Sequence, residues 1–364
     1  MRPQKTEAER TNDAIYGCLI AAAIGDALGA PVEGWYWTDI REKYGRVEEF
    51  MPFDTGYSDG SPGTYTDDSV LRHYLALCII EHGRRVTPDD WGEYWIRHVN
   101  TKRLWIAEEV ARIKLAQGMN PWFTGRENVP AGCASMMIQP VGIVNAGNPR
   151  QAFQDGMNIA GVNQSGSNQE AAASVAAGQA EALKHDATVD SVIGAMYDNS
   201  SFLMRRAYDL TMDLARASDS VDSFATKFYD KMLDWSWPQR KWSKERYFSG
   251  NSLEFVPVVM AILSLCEGDV NECLIEGASF GRDCDTIAAV VGGLAGALQG
   301  ATAVRPQWIE QSEQANGPFF EEVEGSDEMT VKSVADRLIG VLENEALAAR
   351  QRAGQLAGLL EKNN

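Results

Sequence analysis

The amino-acid sequence predicts an all-α fold, a single large globular helical domain spanning 1–364. Three observations carry that expectation. Apolar residues recur at helical spacing in one segment after another. No run alternates apolar and polar residues as a half-buried strand does, and no unit repeats at a fixed period. The 364 residues are 45% hydrophobic and 23% charged, which is enough to bury one large core and argues against wholesale disorder.

The elements follow in chain order. Residues 1–10 are polar and are expected to be flexible. Residues 12–30 read as a helix of Ala, Gly, Ile and Leu, small enough on one side for close packing. A Gly-, Pro- and Asp-rich loop runs from Pro52 to Gly63. The next helix covers 66–81, with Val70, Leu71, Tyr74, Leu75, Leu77 and Cys78 on its apolar side. Pro88 opens another, at the first-turn position that needs no N–H. Trp91, Trp95, Trp105 and Trp122 follow at helical spacing, and core packing accounts for them better than a stacking platform.

Residues 125–168 are rich in Gly, Asn, Ser and Pro and read as long loops around one short helix. Loops of that length in a compact domain are usually functional or disordered. Helical periodicity returns at 169–184, 188–197, 201–216 and 220–233. A loop at Trp235–Ser252 leads to an apolar helix, Leu253–Cys266. Helices at 270–279 and 285–301 follow, and the second contains VVGGLAGALQGA, the composition of a helix buried on every side. The segment 328–361 is a long amphipathic C-terminal helix marked by Val331, Val334, Leu338, Val341, Leu342, Leu356 and Leu360. Its apolar face suits the domain or a partner subunit, and the sequence leaves the oligomeric state open.

Charge narrows the partners. There are 33 Lys and Arg against 51 Asp and Glu, a formal charge of −18. That balance disfavours nucleic-acid backbones and anionic membrane surfaces. The six cysteines form no CxxC pair and the four histidines form no cluster, so neither a zinc ribbon nor a His-rich metal site is expected. Ala14–Ala23 is apolar, but Glu7, Glu9 and Asp13 spoil the positive flank of a signal peptide, and Asp26 cuts the run short of a membrane span. A cytoplasmic protein with reduced, buried thiols is the expectation.

Three segments place carboxylates at helix ends: Thr66-Asp67-Asp68-Ser69, Asp283-Cys284-Asp285-Thr286, and Gly25-Asp26 with Glu33. Taken singly, each is more simply a helix cap, since a Thr or Asp oxygen accepts a free N–H there and the helix dipole favours acids. Taken together, Asp67, Asp68, Asp283, Asp285 and Glu33 supply five acids, and Thr66 and Thr286 two hydroxyls. If the segments meet, the acids must protonate or be neutralised by a cation. Oxygen-only ligands point to Mg²⁺ or Mn²⁺, and two ions roughly 3.5–4 Å apart suit that number of acids.

GCLIAAAIGDALGAPVE, GTYTDDS and GRDCDTIAAVVGGLAGALQGA resemble, in order and spacing, the motifs of the ADP-ribosylglycohydrolase family, typified by dinitrogenase reductase-activating glycohydrolase. They run from about residue 15 to 302. The resemblance implies an all-α fold with a dinuclear Mg²⁺ or Mn²⁺ cleft. It implies Thr66, Asp67, Asp68, Asp283, Asp285 and Thr286 as metal ligands, and Glu33, Asp67 and Asp285 as the catalytic groups. Asp26 is assigned as a structural stabiliser. The implied reaction is hydrolysis of the C1″ glycosidic bond of an ADP-ribosyl group on a protein side chain or small molecule.

The family's phosphate-binding loop, approximately G-N-G-x-x-M-R-x-x-P, falls on Ala131–Pro140. Met136 and Pro140 match, while Gly132, Cys133 and Met137 replace Asn, Gly and Arg. The Thr-His pair that often follows is absent, and Asn163-Gln164 or the Ser165–Gln169 stretch stands in its place. Two readings stand. Met137 faces the core and the N–H groups of Gly132, Cys133, Ala134 and Ser135 suffice for phosphates; or the substrate is a smaller riboside, a nucleoside or nucleotide. The loop Tyr247-Phe248-Ser249-Gly250 resembles the family's ribose- and base-contacting loop, with Tyr247 or Phe248 either stacking on a base or capping the core. Trp35 and Trp37 are placed to line the cleft rim. A non-catalytic protein that binds ADP-ribose or a nucleotide is the third alternative. A structural, non-enzymatic relative would show degraded metal motifs, and these are intact.

Overall fold

The computed structural model describes residues 5–56, 59–100, 102, 104–236, 250–324 and 329–360. Helix α1 (Glu7–Gly29) starts with a capping box: Thr6 Oγ1 accepts from the Glu9 N–H, and the Glu9 carboxylate accepts from the Thr6 N–H. Residues 7–10, expected to be flexible, are therefore the first turn of this helix. Lys5 is held by Asp13 at 2.7 Å and Thr302 at 2.9 Å. A 3-10 turn at Ala30–Val32 leads to α2 (Trp37–Tyr44), an element absent from the sequence reading.

Inside the Pro52–Gly63 loop lies a hairpin of two-residue strands, β1 (Phe53–Asp54) and β2 (Asp59–Gly60), with Phe53 opposite Gly60. Strands this short carry no alternation to read. Everywhere else among the described residues the regular structure is helical. α3 (Asp67–His82) and α4 (Pro88–His98) lie where the apolar periodicity put them, and α5 (Ile106–Ala116) follows. The tryptophans divide: Trp91 and Trp95 are core residues, Trp105 is half-buried, and Trp122 is 41% exposed with its indole N–H on Asp89.

The stretch 125–168 holds two helices, α6 (Gln139–Val144) and α7 (Pro149–Ala160), where one was expected. Asn148 caps α7 by accepting from the Gln151 N–H, and Pro149 sits at its first turn, a start signal masked by the surrounding Gly and Asn. α8 (Ser167–Ala182), α9 (Val189–Asp198), α10 (Phe202–Arg216), α11 (Val221–Ser236), α12 (Ser252–Leu265), α13 (Val270–Ser279) and α14 (Cys284–Gln299) come next. α15 (Pro306–Glu324) was also not anticipated, because its polar content and internal Pro318 hide the periodicity. It contributes Trp308, Phe319 and Phe320 to the core. α16 (Val331–Leu360) is the long C-terminal helix.

Two helices form the centre. α1 and α14 pack so closely that glycine is required at their contacts. A Cβ on Gly17 would lie 2.2 Å from the Gly296 carbonyl oxygen, and one on Gly29 would lie 2.4 Å from the Asp285 Cα. Interaxial distance follows the size of the contacting residues, so these glycines set how near the two carboxylate segments come. The helical stretch from Glu7 to Val32 is, against expectation, long and apolar enough to cross a membrane, but its most apolar part is 89% buried inside the molecule. One hydrophobic cluster reaches from Ile15 on α1 to Val341 on α16.

Candidate active site

The first carboxylate segment is held from below by Asp26 of α1, which has no exposed surface. Its Oδ1 accepts from the Thr66 N–H (3.1 Å) and the Thr66 hydroxyl (2.8 Å), and its Oδ2 accepts from the Ser69 N–H (2.9 Å). Thr66 in turn caps α3, its Oγ1 accepting from the Asp68 N–H at 3.3 Å. Asp26 is thus the stabiliser of the segment, which leaves Asp67 and Asp68 to line a cavity. Arg72, one turn further along α3, donates to Ser69 Oγ (3.0 Å), to Gln139 Oε1 (2.7 Å) and to the Met136 carbonyl (3.1 Å). Gln139 then donates to the Ala289 carbonyl of α14 at 3.3 Å. This buried chain ties the first segment to the second.

The second segment turns sharply before α14, with Gly281 at φ 80° and Arg282 at φ 63°. A left-handed arginine is uncommon. Here it is fixed on both sides: its guanidinium binds the buried Glu254 carboxylate, with Nη2 at 3.0 Å. Its backbone pairs with the Glu33 loop, the Arg282 N–H donating to the Trp35 carbonyl (2.8 Å) and the Gly34 N–H to the Arg282 carbonyl (2.7 Å). Glu33 is thereby brought to Asp283 and Asp285, and carboxylate oxygens of the three lie within 4.8 Å of one another. Asp283 stands at the N-cap of α14 but makes no capping hydrogen bond, so the cap reading describes Thr66 and not Asp283.

A cavity of about 410 Å³ opens above these groups, lined by Glu33, Asp67, Asp68, Asp283, Asp285 and Thr286. Thr66 stands behind it, 1% exposed. Burial, and then the neighbouring acids, push the carboxyls of Asp68 and Asp285 well above the usual range. Burial raises Asp283 to about 6. Oδ2 of Asp68 and Oδ2 of Asp283 are buried with no hydrogen-bond partner. Crowded, buried, unpartnered carboxylate oxygens fit a hard divalent cation, which would reverse those shifts by supplying the missing charge.

Gly132, Cys133 and Gly250 line the same cavity, whereas Ala134 and Ser135 are buried behind it. Tyr247, Phe248 and Ser249 lie outside the described residues. Met137 is in the core and Met136 lines the cavity. The side chain that an Asn would carry at position 132 has no room, since even a Cβ there would sit 2.6 Å from the Phe255 ring. Asn163 and Gln164 are turned onto the loop: Gln164 donates to Cys133 Sγ (3.0 Å) and to the Val129 carbonyl (2.9 Å) and accepts from the Ala131 N–H (3.2 Å). Asn163 donates to Cys133 Sγ at 3.5 Å.

Five lining residues were missed: Gly34 beside Glu33, Asp54 and Thr55 from the hairpin, and Trp105 and Glu108 from the start of α5. The hairpin pair carries no sequence signal. Glu108 does: Leu104, Ala107, Ala111 and Leu115 mark the buried stripe of this segment, and Glu108 falls on it. A lone acid on an apolar stripe is either partnered or functional.

Residues 7–347 match the family model described as ADP-ribosylglycohydrolase. An uncharacterized protein of Archaeoglobus fulgidus is 29% identical over 301 residues, covering 80% of this chain and 89% of its own length. The uncharacterized protein YegU of Escherichia coli K12 is 24% identical over 318 residues, with the same coverage of 80% and 89%. A solved structure titled "ADP-ribosylglycohydrolase-related protein complex" superposes with a TM-score of 0.64 at 20% identity, covering 90% of this chain and 98% of the other.

Proposed function

Because this chain belongs to the ADP-ribosylglycohydrolase family, whose membership supports glycosyl hydrolase activity in general, we propose that it is a divalent-metal-dependent hydrolase of a C1″ glycosidic bond in an ADP-ribosyl or ribosyl conjugate. The observation that carries this is the meeting of Glu33, Asp283 and Asp285, with Asp67 and Asp68, at one cavity. Two Mg²⁺ or Mn²⁺ ions held by Thr66, Asp67, Asp68, Asp283, Asp285 and Thr286 would supply the charge that orients ribose hydroxyls and acidifies a bound water. Glu33, half-buried beside Asp283 and Asp285, orients that water and takes its proton. The water oxygen bonds to C1″ as the bond from C1″ to the leaving nitrogen or oxygen breaks, and the leaving atom takes up the proton that Glu33 then releases. Positive charge developing on the sugar is met by the negative field of Asp67 and Asp285. Six cysteines, all unpaired, suit a reducing cytoplasm.

Within this reading the lack of any Arg, Lys or His among the described lining residues favours a smaller riboside over a diphosphate-bearing substrate, while the burial of Met137 is what the phosphate-binding alternative requires. A turnover screen with Mg²⁺ and Mn²⁺ decides. It covers ADP-ribosyl-arginine, ADP-ribosyl-serine, O-acetyl-ADP-ribose and a panel of nucleosides. At least one is expected to be cleaved only with metal, and Asp67→Asn and Asp285→Asn are each expected to lower bound metal measured by mass spectrometry. Full turnover in excess EDTA would reject the proposal. Tight binding of ADP-ribose by calorimetry with no product after hours would mark a binding protein instead.

A further inference from the structure

Glu108 belongs to the cavity but not to the carboxylate segments already described. It lines the cavity beside Asp67 and Cys133, has no exposed surface, and neither of its carboxylate oxygens makes a hydrogen bond. Burial, and the Asp67 charge after it, push its carboxyl well above the usual range. A buried acid without a partner is costly, and proteins keep one where something meets it. Its neighbours limit what that can be. Cys133 stands where the family pattern has glycine, it lines the same cavity, and its thiol is pushed up by burial and by the neighbouring Glu108. On its other side the thiol is occupied by Gln164 and Asn163, so these amides are turned onto the loop. Trp105, three residues before Glu108, adds an aromatic wall of the kind that takes the C–H face of a sugar.

A phosphoryl group seated against this wall would face acids and no cation, since no Arg, Lys or His is among the described lining residues. A hydroxyl would donate to Glu108. We propose that Glu108 is a substrate-recognition residue that accepts a hydrogen bond from a free sugar hydroxyl and excludes a phosphoryl group, making the substrate an unphosphorylated riboside. The word substrate rests on the glycosidase reading above; the binding preference does not.

The test measures binding of ribose and ribose 5-phosphate to the full chain in Mg²⁺ by ligand-observed NMR, in the wild type, Glu108→Gln and Glu108→Ala. The wild type is expected to bind ribose about tenfold more tightly than ribose 5-phosphate. Glu108→Gln, which removes the acid and keeps the shape, should bring the two affinities to within about threefold, chiefly by improving the phosphate. Glu108→Ala should weaken ribose about tenfold, and if it fails to fold, Glu108→Gln decides alone. Equal or tighter wild-type binding of the phosphate, binding of neither sugar, or a ratio unchanged in Glu108→Gln overturns the proposal. A Glu108-dependent preference in a protein that cleaves no glycoside would sink the enzymatic reading and leave this one standing. Metal-dependent cleavage with a ratio indifferent to Glu108 does the reverse.

Discussion

Arg72 and His73 are consecutive in α3, and both are fully buried. Arg72 is compensated by the charges of Asp26 and Asp68 and by its three hydrogen-bonded neighbours. His73 has neither ring nitrogen hydrogen-bonded and packs among Tyr65, Phe319 and Phe320, with ring centroids 5.3, 6.0 and 5.3 Å away. Burial first, and the Arg72 charge second, lower its pKa to about 3. The folded state therefore holds His73 neutral while the unfolded chain protonates it near 6.5. Above that pH the group leaves stability unchanged. Between about 6.5 and 3 the unfolded state binds the extra proton, and stability falls with pH by up to about 1.4 kcal/mol per unit. His73→Leu should stay within about 1.5 kcal/mol of the wild type at pH 8, as a volume-conserving core change, and be less sensitive to acid. Denaturant unfolding at several pH values checks this, and parallel curves for the two proteins would contradict it. None of this shows in the sequence, where His73 is one of four scattered histidines. The acids of the site were legible because they occur in dense local motifs. Arg72, Glu254 and Arg282 were not, because their meaning depends on partners far along the chain.

At the scale of elements, the site is a consequence of how α1 meets α14. Gly25 faces the Ala288 carbonyl, where a Cβ would come within 2.3 Å, and Gly29 faces the Asp285 backbone. A side chain at either position must push α14 away and carry Asp283 and Asp285 with it. Gly29→Ala should cost about 1–3 kcal/mol of stability as an overpacked contact. Metal affinity should fall as well, by at least about tenfold. Gly340→Ala on α16 is the control: its Cβ meets nothing within 4 Å, and the exchange should stabilise by about 0.5–1 kcal/mol. Thermal unfolding beside metal titration separates the two effects, and a Gly29→Ala protein with wild-type metal affinity would refute the geometric role. The helices themselves were largely legible, because long apolar periodicity survives local noise. α2 and α15 were missed because their faces are mostly polar, and the hairpin because two residues hold no period. Sequence could mark the small residues of α14, but not that their partners are the glycines of α1.

Over the whole molecule, α16 changes character along its length. Val331, Val334, Ala335, Leu338 and Val341 are buried in the common core. Asn344 donates to the Gly83 carbonyl at 3.1 Å, and Glu345 accepts from the Arg85 side chain at 3.0 Å. From residue 346 to 360 every position is exposed, including Leu347, Leu356, Leu359 and Leu360. The amphipathic pattern read across 328–361 is thus two halves with two fates, and among the described residues only the first is packed against the rest of the chain. Isolated helices of about 15 residues are marginal in water, so the outer half draws its order from the anchored half rather than giving order back. Ending the chain after Glu345 should therefore leave the unfolding midpoint within about 2 °C of the full chain, since a surface change away from packed features stays near ±0.5 kcal/mol. Ending it before Val331 uncovers five core side chains, at about 1.5–3 kcal/mol for each large one, and should abolish cooperative unfolding. Calorimetry of the two truncations, with sedimentation of the shorter-tailed one beside the full chain, reads both. A large drop in midpoint accompanied by a fall in sedimenting mass would mean that residues 346–360 are covered after all, by a second subunit.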